Sequence, residues 1–138
     1  MDIEAVERVD QDDLLDLYES VGWSAYTGDP EGLVRAIEGS TYVVTARHEG
    51  ALIGLARVLS DDVSILYLQD ILVRPEWQRR GVGRALLLRC LERYGHVRTK
   101  ALLTDDEDRQ HRFYRAMGFT DVADVDRLHA FGWIEPSE

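Results

Sequence analysis

The chain has 138 residues, 45% of them hydrophobic and 30% charged, with a formal net charge of −10. This length and balance predict one compact domain over residues 1–138, and the acidic surface disfavours nucleic acid and anionic membranes as partners. No apolar run approaches the roughly 20 residues needed to span a bilayer. The single cysteine and the absence of a Cys/His metal spacing favour a cytoplasmic, metal-free protein. We expect it to be a monomer or a homodimer.

Local signals divide the N-terminal half into strands and helices. Asp10 is a predicted helix N-cap, Asp29-Pro30 opens a further helix, and Gly39 ends it. The turn residues His48-Glu49-Gly50 predict a hairpin. The expected elements are a strand over 3–9, a helix over 11–20, an aromatic loop over 21–28, a helix from 30 to 39, and strands over 41–47 and 51–59.

The C-terminal half begins with a nearly continuous apolar run, Ile65-Leu66-Tyr67-Leu68, which predicts a central strand covered on both faces. The expected elements are a strand over 64–73, a helix over 81–94, a strand over 97–104, a helix from 105 or 106 to 117, and one or two terminal strands within 119–133. The predicted class is therefore α/β (α+β), with a mixed sheet and helices on both faces.

An anion site is predicted where the central strand passes into the following helix, at Gln78-Arg79-Arg80-Gly81-Val82-Gly83. A helix N-terminus offers unpaired N–H groups and a positive dipole end, and glycines let the backbone approach a phosphate closely. The segment lacks the third glycine of a dinucleotide-binding fingerprint and the Gly-Lys-Ser/Thr of a P-loop. By spacing alone, a glycine-rich helix start without a ligand is an equal alternative.

A wider pattern surrounds this segment. The run Asp70-Ile71-Leu72-Val73-Arg74-Pro75-Glu76-Trp77, continuing through the glycines to Leu87, resembles the signature of the GNAT superfamily of N-acetyltransferases. The run Phe113-Tyr114-Arg115-Ala116-Met117-Gly118-Phe119 resembles its second element, Phe-Tyr-x-x-x-Gly-Phe. Together with the element order, the resemblance covers essentially the whole chain.

The resemblance implies how acetyl-coenzyme A binds. Strands 64–73 and 97–104 would splay apart, and the pantetheine arm would pair with backbone at Ile71, Leu72 and Val73. Backbone amides would hold the pyrophosphate at Gln78, Arg79, Arg80, Gly81, Val82, Gly83 and Arg84. The amine would attack the thioester directly, with Cys90 in the core rather than acting as a nucleophile.

The resemblance also implies catalytic groups. Tyr114 matches the family tyrosine that donates a proton to the leaving thiolate. Asp70 or Tyr67, either of them acting through water, is a candidate general base, although Asp70 is equally a candidate structural partner of nearby backbone or of an arginine. The Asn and Ala that many members place ahead of the tyrosine are replaced here by Glu107 and by Gln110 or His111, which puts one side-chain contact to the cofactor in doubt.

Acceptor contacts are expected from Trp23, Tyr26 and Arg57. Their sequence context is similar to a subgroup that includes arylalkylamine acetyltransferases, and an aromatic wall suits a hydrophobic or cationic small amine. An equal alternative is that Trp23 and Tyr26 only cap the hydrophobic core. Acetylation of a protein N-terminus or lysine, and a non-catalytic acyl-CoA sensor, are the alternative functions.

Overall fold

The computed structural model describes residues 1–135, and this part of the chain forms five strands and five helices. The strands are β1 (Asp2–Val6), β2 (Tyr42–His48), β3 (Ala51–Ser60), β4 (Ile65–Val73) and β5 (Thr99–Leu102). The helices are α1 (Gln11–Ser20), α2 (Ser24–Thr27), α3 (Pro30–Glu38), α4 (Val82–Arg93) and α5 (Asp108–Ala116), with short 3₁₀ turns at Pro75–Trp77 and Val122–Asp124. Two compact units result, Met1–Leu102 and a second that begins at Leu103.

The first unit is built on one mixed sheet with strand order β1-β2-β3-β4-β5. The first four strands pair antiparallel, and β5 joins β4 in parallel. Helices α1 and α3 cover one face, and α4 packs against β2, β3 and β4 on the other. The core on the α1–α3 face contains Leu14, Leu17, Tyr18, Leu33, Ile37, Val43, Leu52, Leu55 and Leu72. The predicted α+β class, mixed sheet and two-sided helical cover are confirmed.

The predicted local signals act as expected at several element ends. The Asp10 carboxylate accepts hydrogen bonds from the first turn of α1, and Asp29 accepts one from Gly32 N at 3.0 Å at the start of α3. Glu49 and Gly50 both have positive φ, 50° and 85°. Two left-handed residues between strands form the turn that suits the right-handed twist of a hairpin, so β2 and β3 are joined tightly.

Three expectations of the sequence are wrong in detail. The aromatic segment 21–28 contains the short helix α2, and β1 and β5 are shorter than predicted. Within residues 119–135 the structure has one 3₁₀ turn and no strand. Side chains there such as Phe131 and Trp133 are 96% and 97% exposed. Apolar residues give strand structure only when they pack against neighbouring strands, and these residues do not.

Strand β4 changes its pairing half-way along its length. On one side, Arg57 of β3 faces Asp70 while Val58 faces Leu68, so Gln69 is an extra, bulged residue of β4. On the other side, β5 pairs only with Ile65–Leu68. In the described residues, the second half of β4 therefore has no β5 partner, as the predicted splay of these strands requires.

A glycine brings α4 close to the sheet. A Cβ atom added at Gly54 of β3 would lie 3.1 Å from both Leu86 Cδ1 and Val82 Cγ1, and 3.2 Å from the Leu72 carbonyl oxygen. Val82 is the first residue of α4, so the missing side chain at Gly54 sets the position of the helix start.

We expect Gly54→Val to lower the free energy of unfolding by about 1–3 kcal/mol, because the added methyl groups overpack this contact. Urea unfolding measures the change. Ala51→Val, at an exposed position of the same strand, is the control and should be neutral or slightly stabilising. Equal effects of the two substitutions would show that α4 does not depend on Gly54.

Candidate active site

The start of α4 has the backbone conformation of an anion site. Its N-cap is Gly81 in the left-handed region, with φ 84°, and no side chain caps the helix. Two residues earlier, Arg79 also has positive φ, 63°. A non-glycine residue in this region costs about 1–2 kcal/mol, and such backbone strain concentrates at binding sites. Successive N–H groups around left-handed residues form a concavity that suits a phosphate.

The arginines in and around this segment separate into two groups. Arg74 pairs with Asp16 at 2.6 Å and donates to the Leu52 carbonyl at 2.7 Å. Arg89 donates to the Ile3 carbonyl at 3.1 Å, and Arg93 lies 3.6 Å from Asp62. These three have structural partners. Of those nearest the helix start, Arg79 and Arg80 are exposed, and the Arg80 guanidinium lies over the Trp77 ring at 5.0 Å.

The predicted pantetheine strand leads directly into this loop. Leu72 is buried in the core, while Ile71 and Val73 are half-buried. The Gln78 side-chain amide donates to the Val73 carbonyl at 3.0 Å. The loop that carries the glycines is thereby tied to the end of β4, and the predicted donor-binding residues of the first unit follow one another along a single path.

The predicted base and acceptor residues meet in a buried polar network. Arg57 Nε donates to Asp70 Oδ2 at 2.7 Å, and the two residues are 6% and 5% exposed. Tyr18 donates to Asp70 Oδ2 at 3.0 Å, and Tyr26 donates to Asp70 Oδ1 at 2.9 Å. Removing one member of such a buried ion pair costs about 3–5 kcal/mol, because the other charge is left buried without a partner.

The remaining donors of the network are satisfied as well. Arg57 donates to the Tyr26 hydroxyl at 3.0 Å, to Ser40 Oγ at 3.3 Å and to the Ala36 carbonyl at 3.5 Å. The Gln69 amide lies 3.5 Å from the Tyr26 hydroxyl. The Arg57 side chain, predicted to contact the acceptor, is thus buried and occupied by protein groups.

Burial and charge set the protonation of this network. Burial lowers the pKa of the Arg57 guanidinium, but the charge and hydrogen bonds of Asp70 and Tyr26 together outweigh it, so the net pKa is above its usual value. Burial and the Asp70 charge raise the pKa of both the Tyr18 and Tyr26 hydroxyls. Both tyrosines therefore stay protonated and keep donating to Asp70.

The aromatic residues of α1 and α2 pack against one another around the network. The Tyr18 ring meets Trp23 and Tyr26 edge to face, with centroids 5.8 and 5.1 Å apart. Trp23 and Tyr26 are partly buried and pack against the core. Both residues thus cap the core, as one of the two sequence interpretations expected, and both keep part of their surface exposed.

Sequence reasoning missed Tyr18 and Gln69 as members of the network. The sequence places Tyr18 in the predicted helix over 11–20 and assigns it no polar contact. A buried tyrosine hydroxyl needs a hydrogen-bond partner, which is the signal that it had a polar neighbour. Nothing in the sequence marks Gln69, because its position follows from the bulge in β4.

Tyr114 lies in the second unit, on α5, where its ring contacts Phe113 and Phe119 at 5.1 and 6.0 Å. Burial raises the pKa of Tyr114 to about 12, and a hydrogen bond with Thr104 acts in the opposite direction. The hydroxyl is therefore protonated at neutral pH. Cys90 is fully buried on α4, and burial raises the pKa of its thiol to about 12, so it is not a thiolate at neutral pH.

Comparison with known proteins identifies the family. Residues 7–119 match the model of the Acetyltransferase (GNAT) family. The chain belongs to this family. A GNAT family acetyltransferase from Streptococcus pneumoniae has the same fold, with TM-score 0.84 and 31% identity over 97% of each chain.

Two relatives with similar sequences are longer than this chain. An N-acetyltransferase from Gracilaria tenuistipitata, described as uncharacterized, is 30% identical over 88% of this chain and 66% of its own length. A histone acetyltransferase from Glycine max, TAP1, is 28% identical over 91% of this chain and 57% of its own length. The chain thus spans between 57% and 66% of the length of these two curated relatives.

Residues 1–135 contain no helix with the length and apolar character that a membrane span requires. The same residues contain no group of three or more His, Cys, Asp or Glu side chains placed to hold a metal ion.

Because Cys90 is buried and protonated, we expect it to be unreactive in the native protein. At pH 8 a thiol reagent such as dithionitrobenzoate should release no signal until denaturant is added, and then one equivalent. Stability should also fall as pH rises from about 9 towards 12, since only the unfolded thiol ionises there. Rapid labelling of the folded protein would contradict this placement and reopen a covalent acetyl-cysteine route.

Proposed function

We propose that this GNAT protein transfers an acetyl group from acetyl-CoA to the nitrogen of a small amine, by direct attack within a ternary complex. The observation that carries the proposal is the continuous path from β4 to α4. It joins a strand edge without a β5 partner to a helix start that has no side-chain cap and a left-handed glycine N-cap. A strand edge can pair with amide groups of a ligand, and the helix start suits its phosphates.

The donor would bind along this path. Backbone groups of Ile71–Val73 would hydrogen-bond the pantetheine amides, and the N–H groups of residues 78–84 would hold the pyrophosphate. The exposed guanidinium groups of Arg79 and Arg80 add positive charge beside these oxygens. In a protein of net charge −10, such local positive charge is needed to attract a polyanionic ligand.

Tyr114 would assist departure of the thiolate. Since its pKa is raised to about 12, the hydroxyl keeps its proton at neutral pH and can donate it to the developing negative charge on sulfur. The attacking nitrogen must be a neutral amine, and the proton that it loses balances the one taken up by the thiolate. No step uses Cys90.

The acceptor would lie beside Trp23 and Tyr26, on the α1–α2 side of β4. Their partly exposed rings support an amine with a flat apolar group. An acceptor on a protein, such as an N-terminus or a lysine, is the second candidate, because one relative is described as a histone acetyltransferase. Binding of acyl-CoA without turnover is the non-enzymatic alternative.

We further propose that residues 1–138 work as one N-acetyltransferase domain. The family model runs across the boundary between the two units, from residue 7 to residue 119. A single cysteine fits a reducing compartment, and we place the reaction in the cytoplasm. We also propose that the domain is a monomer or a homodimer.

Release of free CoA from acetyl-CoA, measured against a panel of arylalkylamines, polyamines and lysine peptides, tests the activity. We expect a small amine to stimulate release, and Tyr114→Phe to lower kcat about 10²-fold or more while leaving acetyl-CoA affinity unchanged. Tyr42→Phe, on β2, is the control and should retain wild-type turnover. If acetyl-CoA binds but no acceptor stimulates the release of CoA, the result would contradict acetyl transfer and support a non-catalytic acyl-CoA sensor.

Substitution of Gly83 tests the phosphate cradle separately from stability. A glutamate in the first turn of α4 should preserve or raise the melting temperature, because it complements the helix dipole. It should also weaken CoA binding more than about tenfold by repelling the pyrophosphate. Gly83→Gln, equal in size but neutral, controls for bulk and should bind better than Gly83→Glu. If calorimetry gives both variants wild-type affinity, the pyrophosphate lies elsewhere.

A further inference from the structure

The Asp70 carboxylate is enclosed by its partners. Arg57 and Tyr18 both donate to Oδ2, at 2.7 and 3.0 Å, and Tyr26 donates to Oδ1 at 2.9 Å. Three elements supply these donors: β3, α1 and α2. The end of α3 closes the network through the Ala36 carbonyl and Ser40, which both accept from Arg57.

This enclosure argues against Asp70 as the general base. A base must reach the proton that it removes, directly or through one water, and Asp70 is 5% exposed. Its two oxygens already accept three hydrogen bonds from protein groups. Asp70 is therefore suited to hold its neighbours in place and poorly placed to reach the proton of an acceptor amine.

The network reaches the surface at Tyr26. Its hydroxyl donates to Asp70 and accepts from Arg57 at 3.0 Å, with Gln69 of the β4 bulge 3.5 Å away. Its ring is only partly buried. Tyr18 donates to the same carboxylate but is 0% exposed. Of the two tyrosines bound to Asp70, only Tyr26 can both hold the carboxylate and meet a ligand.

We propose that the Arg57–Asp70 ion pair is a positioning device that fixes Tyr26 as a wall of the acceptor site, and that Asp70 is not the general base. This inference rests on the proposed acetyl transfer. Tyr26 sets acceptor affinity, and Arg57 and Asp70 act through it as positioning residues. The acceptor amine loses its proton to another group or to solvent.

A matched pair of variants tests this role. Tyr26→Phe and Tyr18→Phe each remove one hydroxyl that donates to Asp70 and leave the ring in place. With the best amine from the CoA-release panel, we expect Tyr26→Phe to raise the acceptor KM about tenfold. Its kcat should stay within about threefold of wild type, and its KM for acetyl-CoA should not change. Tyr18→Phe should lower the melting temperature, leave the KM for acetyl-CoA unchanged and raise the acceptor KM much less than Tyr26→Phe does.

The double variant Arg57→Gln/Asp70→Asn tests the base role, because it removes both charges and keeps hydrogen-bonding groups. We expect its kcat/KM to retain the acidic limb of the wild-type pH profile, with the acceptor KM raised. A general base at Asp70 would instead predict loss of that limb and a fall in kcat of about 10²-fold or more. Should this variant fail to fold, the two tyrosine variants still decide the positioning claim.

Several results would overturn the inference. It is wrong if the two tyrosine variants change the acceptor KM equally, if neither changes it, or if Tyr26→Phe acts on kcat alone. Failure of the proposed function looks different, since wild-type protein would then release no CoA with any amine. The wild-type panel is therefore measured first.

Discussion

A buried ion pair between Arg57 on β3 and Asp70 on β4 is hydrogen-bonded to three helical segments of the first unit. Tyr18 lies on α1, Tyr26 lies on α2, and Ser40 follows α3. Charges buried to this degree are tolerated only when each donor and acceptor is matched. The positions of the three segments are therefore interdependent. The Arg57–Asp70 network fixes the segments that carry the proposed acceptor site, within an otherwise apolar core.

Strand β4 connects the Arg57–Asp70 network to the proposed acetyl-CoA site. At Gln69 it bulges away from β3, and from the same residue onward it lacks a β5 partner. Asp70 then faces the buried network, and the next residues lead through a 3₁₀ turn to Gly81 and α4. Gly54 completes the arrangement by letting α4 begin close to the sheet. One strand thus carries the proposed acceptor wall on one face and ends at the proposed phosphate cradle.

Much of the fold followed from short-range signals in the sequence. Asp10, the Asp29-Pro30 pair and the Glu49-Gly50 turn act through neighbours only a few residues away, so they could be predicted. An arginine partner for Asp70 was one of the alternatives that the sequence offered, but Arg57 could not be identified, because its contact with Asp70 depends on strand register and on a bulge. The terminal strands were wrong for a related reason. The apolar residues after Phe119 predicted strands, yet Phe131 and Trp133 have no strand to pack against in the described residues.

The central claim is that acetyl-CoA binds along β4 and the start of α4. Titrating ¹⁵N-labelled protein with CoA and following the backbone amide resonances tests it most directly. We expect the largest shifts at the amides of residues 71–73 and 78–84, with downfield movement of those that donate to phosphate oxygens. Strong binding with these amides unchanged, and with shifts concentrated elsewhere, would contradict it.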